Sequence, residues 1–173
     1  MENKNIDSSD ISIIDNERNI IAIPEYISGI PTKKDFVKER RQLIDHYYRI
    51  LWRHTHCIHN DFLGVDVHIK KNESDKKVKS IAPRKWQSTY AVKHLDQVVK
   101  NAKPLNGIIE YDKPKTGTQS KNGYKQMVIL YHKFTNDEYD YLNFTIKLTL
   151  GINTDGKYIQ YSINKVEVQQ KKI

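Results

Sequence analysis

Residues 139–150 read YDYLNFTIKLTL, an almost faultless alternation of apolar and polar side chains. In an extended strand successive side chains point to opposite faces. Leu142, Phe144, Ile146, Leu148 and Leu150 therefore share one face, and Tyr141, Asn143, Thr145, Lys147 and Thr149 the other. This is the signature of an antiparallel strand buried on one side only. Residues 123–134 (GYKQMVILYHKF) and 157–168 (KYIQYSINKVEV) read as strands too, so the chain closes in a meander. Its second face is expected to be wet and to carry Lys, Thr, Ser and His.

The 173 residues suffice for one domain with a real core. With 38% hydrophobic and 29% charged residues the chain is polar for its size, yet not composed like a disordered one. No run approaches the roughly 18 apolar residues of a membrane span, and MENKNIDSSD lacks the basic and apolar segments of a signal peptide. The single cysteine, Cys57, excludes an internal disulfide framework. A reducing, intracellular setting without membrane contact is the expectation. The net charge is +8, but residues 1–23 hold five acids against Lys4 and Arg18, a local −3 that leaves +11 elsewhere. Such a body attracts nucleic acid or another anionic surface over long range.

Residues 11–23 resemble a small hairpin. After Gly29 and Pro31, Thr32 and Asp35 form a variant capping box for a helix over 33–55. Its apolar stripe is Phe36, Val37, Ile44, Tyr47, Tyr48, Ile50 and Leu51, and its solvated face Lys34, Lys38, Arg40, Arg41, Arg49 and Arg53. Residues 62–71 alternate like a strand, and 72–87 form a basic loop. Ser88 or Thr89 opens a second helix ending near Ala102, with Ala91, Val92, Leu95, Val98 and Val99 on one face. A polar, basic loop follows over 112–122, and Asn153, Asp155 and Gly156 supply a hairpin turn. Helix packed on the apolar sheet face, with the opposite face open to a ligand, is the two-layer solution.

Several side chains could carry chemistry. His54, His56, Cys57 and His59 crowd the end of the first helix as HTHCIH. They are metal-ligand types, but no second ligand pair with structural-zinc spacing occurs, and histidines also favour the negative end of a helix. Metal-free RNA cleavage needs an acid, a base and a cation for the phosphorane charge, which His132 and Lys147 could supply. Strict parity puts His132 with Val128, Leu130 and Phe134 on the core face; a bulge near the 135–136 turn would re-aim it. Tyr158, Gln160, Ser162 and Asn164 share one face of the last strand and offer hydrogen bonds to phosphate or base. His94 flanks the apolar face of the second helix. Arg84 and Lys85 stand just before that helix, where its positive end favours phosphate.

Taken in order, HNDFLGVDVHI (59–69), AVKHLDQVVKNA (91–102), YHKF (131–134), YLNFTIKLTL (141–150) and KYIQYSINKVEV (157–168) resemble the phage-associated nuclease-like domains of the barnase, EndoU, colicin and RelE superfamily. The resemblance covers residues 60–168. It implies an α+β fold in which a helix precedes a four-stranded antiparallel sheet, over 60–173; residues 1–59, the tail, small hairpin and long basic helix, lie outside it as an N-terminal helical extension. It also implies metal-independent RNA cleavage without a cofactor on the open sheet face, in a host cytoplasm or delivered by a phage or toxin system. Catalytic roles carry over to His94, His132, Lys147 and Ser162; the basic loop and the open face add expected nucleic-acid contacts at Lys79, Arg84, Lys85, Thr145, Thr149 and Gln160. Partners would be RNA or another nucleic acid, and an immunity or host protein. The sequence offers no clear glutamate base on the sheet of the kind barnase-like enzymes use. The alternative is a non-catalytic phage protein that binds nucleic acid or a host enzyme.

Overall fold

A computed structural model of the chain describes residues 17, 35–69, 86–114, 123–135, 138 and 143–167. All but Glu17 of the hairpin expected at 11–23, Leu142, and most of the two basic loops lie outside these residues. So do the side chains of Lys34, Phe36, Val37 and Lys38.

Helix α1 (Asp35–His54) buries Leu43, Ile44, Tyr47, Tyr48, Ile50 and Leu51, the recurrence expected of one helical face. Arg40, placed by sequence on the solvated face, is only 6% exposed, because it stands one turn before Leu43 and Ile44. Arg41, Arg49 and Arg53 do face water, and Arg53 lies 3.6 Å from Glu17. Thr55 ends the helix. Its hydroxyl donates to the Cys57 carbonyl (2.6 Å) and accepts from the Cys57 amide (3.3 Å).

The hairpin β1 (Cys57–Asn60) and β2 (Val65–His68) turns at Gly64, whose φ of +67° favours glycine. Buried Asn60 anchors it: its amide nitrogen donates to the carbonyls of Val99 (2.8 Å) and Ala102 (2.9 Å), and its oxygen accepts from the Leu63 amide (2.7 Å). The expected helix over 88–102 is two helices, α2 (Trp86–Lys93) and α3 (Leu95–Asn101), broken at His94. There the His94 amide is shared between the carbonyls of Tyr90 and Ala91, 3.2 Å from each.

Strands β3 (Glu110–Asp112), β4 (Tyr124–Phe134), β5 (Phe144–Asn153) and β6 (Tyr158–Val166) complete a six-stranded sheet of order β1-β2-β6-β5-β4-β3. All pairs are antiparallel except β2 with β6. The α+β class stands, and the four-stranded antiparallel sheet is corrected to a mixed one of six. The β1–β2 hairpin, which follows directly on α1, docks along β6, and β3 extends the other edge. The division drawn between residues 59 and 60 runs through β1. Among the described residues no helix is long and apolar enough to cross a membrane.

Register settles the faces. Val128 lies opposite Leu150, Leu130 opposite Leu148, and Phe134 opposite Phe144, all turned toward the helices. Trp86 and Tyr90 of α2 meet the Phe144 ring edge-on at 5.6 and 5.9 Å. On β6 the register shifts: Thr149 pairs with Ser162 but Leu150 with Gln160, leaving Tyr161 as the extra residue of a bulge. The expected common face of Tyr158, Gln160, Ser162 and Asn164 is therefore split. Tyr158 and Gln160 pair with core residues Ile152 and Leu150, whereas Ser162 and Asn164 pair with Thr149 and Lys147 on the open side. Across the bulge Tyr161 meets Tyr124 edge-on at 5.7 Å. The Tyr124 ring lies over Gly151, where an added Cβ would come within 2.6 Å of it.

Candidate nucleic-acid interface

Residues paired across strands share a face, so the ladder can be read as rows on the side away from the helices. One row runs Lys103, Tyr131, Lys147, Asn164. Lys103 and Tyr131 join by reciprocal backbone hydrogen bonds of 2.9 and 2.8 Å, and Lys147 stands opposite both Tyr131 and Asn164. The next row is Lys133, Thr145, Val166. In the other direction lie Glu110, Ile129, Thr149, Ser162, then Asp112, Met127, Gly151, Ile159, His68, Cys57. The open face is thus polarised, with lysines at one end and acids with buried apolar groups toward the other.

At the basic end a groove of about 420 Å³ is lined by Lys103–Leu105, Tyr131, Lys133, Asn143–Thr145 and Lys165–Glu167. Lys165 is neutralised by an ion pair with Glu167. Leu105 is 47% exposed, a large apolar side chain left in water beside a tyrosine. Burial raises the pKa of Tyr131, and Glu110 and Asp112 raise it further, so its phenol stays neutral.

The structure separates the four expected catalytic residues. Lys147 and Ser162 occupy the open face, on adjacent rows and with Thr145 nearby. His132 lies opposite Ile146 on the helix side, its ring 4.7 Å from Phe134, and burial lowers its pKa. No bulge re-aims it: β4 and β5 stay in register from Gln126 to Phe134. His94 is on that same side, 4.7 Å from Tyr90 and 6.3 Å from Phe134. Of the expected nucleic-acid contacts, Gln160 is corrected to a core residue, fully buried, its oxygen accepting from the Tyr48 hydroxyl at 3.1 Å. Thr149 faces the open side but is buried between Ile129 and Ser162. Lys79, Arg84 and Lys85 lie outside the described residues.

Sequence reading missed Lys103, Leu105, Tyr131 and Lys133. For Tyr131 and Lys133 a signal existed, since the parity that puts Val128 and Leu130 inward puts them outward. For Lys103 none did: Lys103-Pro104 reads as a helix stop, and only pairing with β4 brings it to the sheet.

The HTHCIH segment leaves the helix at His54 and enters β1. Cys57 Sγ lies 3.2 Å from His68 Nδ1, and His59 Nδ1 lies 2.9 Å from Asp66 Oδ1. Burial and Asp66 push the Cys57 thiol up, against Lys157, while burial and Lys157 push His68 down, against Asp66. The pair rests as thiol and neutral imidazole, the opposite of an activated nucleophile. Among the described residues no three His, Cys, Asp or Glu groups converge to hold a metal ion. No family model, no curated protein and no solved structure matches the chain.

Proposed function

We propose that the protein binds nucleic acid through the basic end of its open sheet face. The observation that carries this reading is the set Lys103, Lys133 and Lys147 around Tyr131, with Lys103, Lys133 and Tyr131 lining a groove, on a chain of net charge +8. Lysines on a sheet hold phosphate by charge without reading sequence, and binding gains from released counterions.

The same geometry favours the non-catalytic alternative over RNA cleavage on this face. Acid–base cleavage needs titratable groups within reach of one phosphate. His132 and His94 are on the other side of the sheet from Lys147. His68 is on the open side, but its row lies four positions along β5 from Lys147, about 13 Å. Cleavage has one observation in its favour, that His94 and His132 flank Phe134 together on the helix side. Incubating RNA with the protein in EDTA tests it: cyclic phosphate ends that vanish in His132→Ala would establish cleavage at that place.

Binding is tested by titrating labelled nucleic acid at several salt concentrations. Log affinity should fall linearly with log salt, with a slope of about −0.7 per phosphate neutralised on a single strand. Replacing Lys103, Lys133 and Lys147 together by Gln should weaken binding and flatten that slope by about 2. Absence of binding at low salt would end this reading.

A further inference from the structure

Resting on the nucleic-acid reading of the same groove, we infer that it takes a single strand rather than a duplex, with an unpaired base seated against Tyr131 and Leu105. A phosphate-only site needs lysines and nothing else. Here the lysines surround a neutral aromatic ring, and an aliphatic side chain 47% exposed lines the groove with it. Leaving Leu105 in water has a cost that an apolar ligand would remove. The phosphates of a duplex can reach lysines, but its base faces are hidden by their neighbours in the stack. A single strand turns base faces outward, and tyrosine is a platform for them.

The dimensions agree. From Lys103 across β4 and β5 to β6 the groove spans three strand spacings, about 14 Å. Tyr131 lines it. Lys103 and Lys147 are one strand to either side of Tyr131, and Lys133 is two positions along the same strand, about 7 Å away. Backbone phosphates on either side of a seated base therefore meet lysine in each direction. Glu110 and Asp112 close the other route, toward β3, because they repel phosphate. The strand is accordingly confined to the end where Asn143 and Thr145 offer hydrogen bonds to base edges.

The test uses the full chain and fluorescence anisotropy with two probes of about 15 nucleotides: an unstructured oligo-dT or oligo-U strand, and a blunt duplex of the same length. The single strand should bind at least about ten times more tightly. Tyr131→Leu should lose on the order of tenfold, with the loss confined to the single strand, and Tyr131→Phe should restore it. If Tyr131→Leu does not fold, Leu105→Ser, at an exposed position, should narrow the same preference. Equal affinity for both probes, untouched by Tyr131→Leu or Leu105→Ser, overturns the single-strand inference and leaves the phosphate reading intact. Binding of neither probe at low salt overturns both.

Discussion

His132 shows how a residue's chemistry depends on the face it occupies. On the open face it could have served a phosphate; on the core face it packs on Phe134 and burial holds its pKa below the ordinary 6.5. A histidine with a depressed folded pKa takes up protons more readily when unfolded. Its contribution to stability is whole above pH 6.5 and is lost as pH falls through the folded pKa. His68 shifts the same way and adds to the effect. The melting temperature should therefore drop as pH is lowered from 7.5 to 5, and His132→Leu should shrink that drop. A pH dependence unchanged by the substitution would count against the burial. Gln160 carries a second prediction. Its amide nitrogen is buried without a hydrogen-bond partner among the described residues, while its oxygen serves Tyr48. Tyr48→Phe alone should cost about 1–2 kcal/mol in urea unfolding, since it strands the glutamine oxygen. Gln160→Met with Tyr48→Phe should recover most of that loss, because neither partner of this hydrogen bond is then left stranded.

At the scale of elements, the β6 bulge decides which side chains reach the candidate site. With Tyr161 set aside, the strand alternates without fault, Gln160 inward, Ser162 outward, Ile163 inward, Asn164 outward. Deleting Tyr161 should preserve both faces and the fold, at a cost of about 0.5–1.5 kcal/mol from the lost edge contact with Tyr124. Deleting Lys147 from unbulged β5 should abolish folding, because half the strand would exchange its faces. Circular dichroism and thermal melts of the two deletions distinguish these outcomes. Equal damage from both would mean that Tyr161 is not the extra residue.

For the whole molecule, the core admits no boundary between α1 and the sheet. Leu43, Ile44, Tyr47, Tyr48, Ile50 and Leu51 join the same buried cluster as Leu130, Ile146, Leu148 and Ile163. Six such side chains contribute on the order of 10 kcal/mol of burial, comparable with the whole stability of a domain. A fragment of residues 60–173 lacks them and most of β1. It should show no cooperative melt, whereas the full chain should show one. A folded fragment would restore a separate nuclease-like unit as a workable division.

How far the sequence reached varies with the kind of contact involved. The faces of the side chains on β5 and on β4 from Gln126 onward, the span of α1 and the 153–156 turn were legible, because each depends on residues within a few positions; Tyr124 was not, since a register shift before Gln126 puts it opposite Asn153. Asn153 does accept from the amides of Asp155 and Lys157, and Gly156 does adopt φ +79°. The helix break at His94 had no such local mark, neither Gly nor Pro. Nor did the parallel docking of β2 on β6, the Tyr161 bulge, or the pairing of Lys103 with Tyr131. Those depend on which strands meet and in what register, and a shift of one residue reverses every face. Alternation along one strand determined that Lys147 points away from the core. Only the tertiary pairing decided that Lys103 and Tyr131 stand beside it and that Gln160 does not.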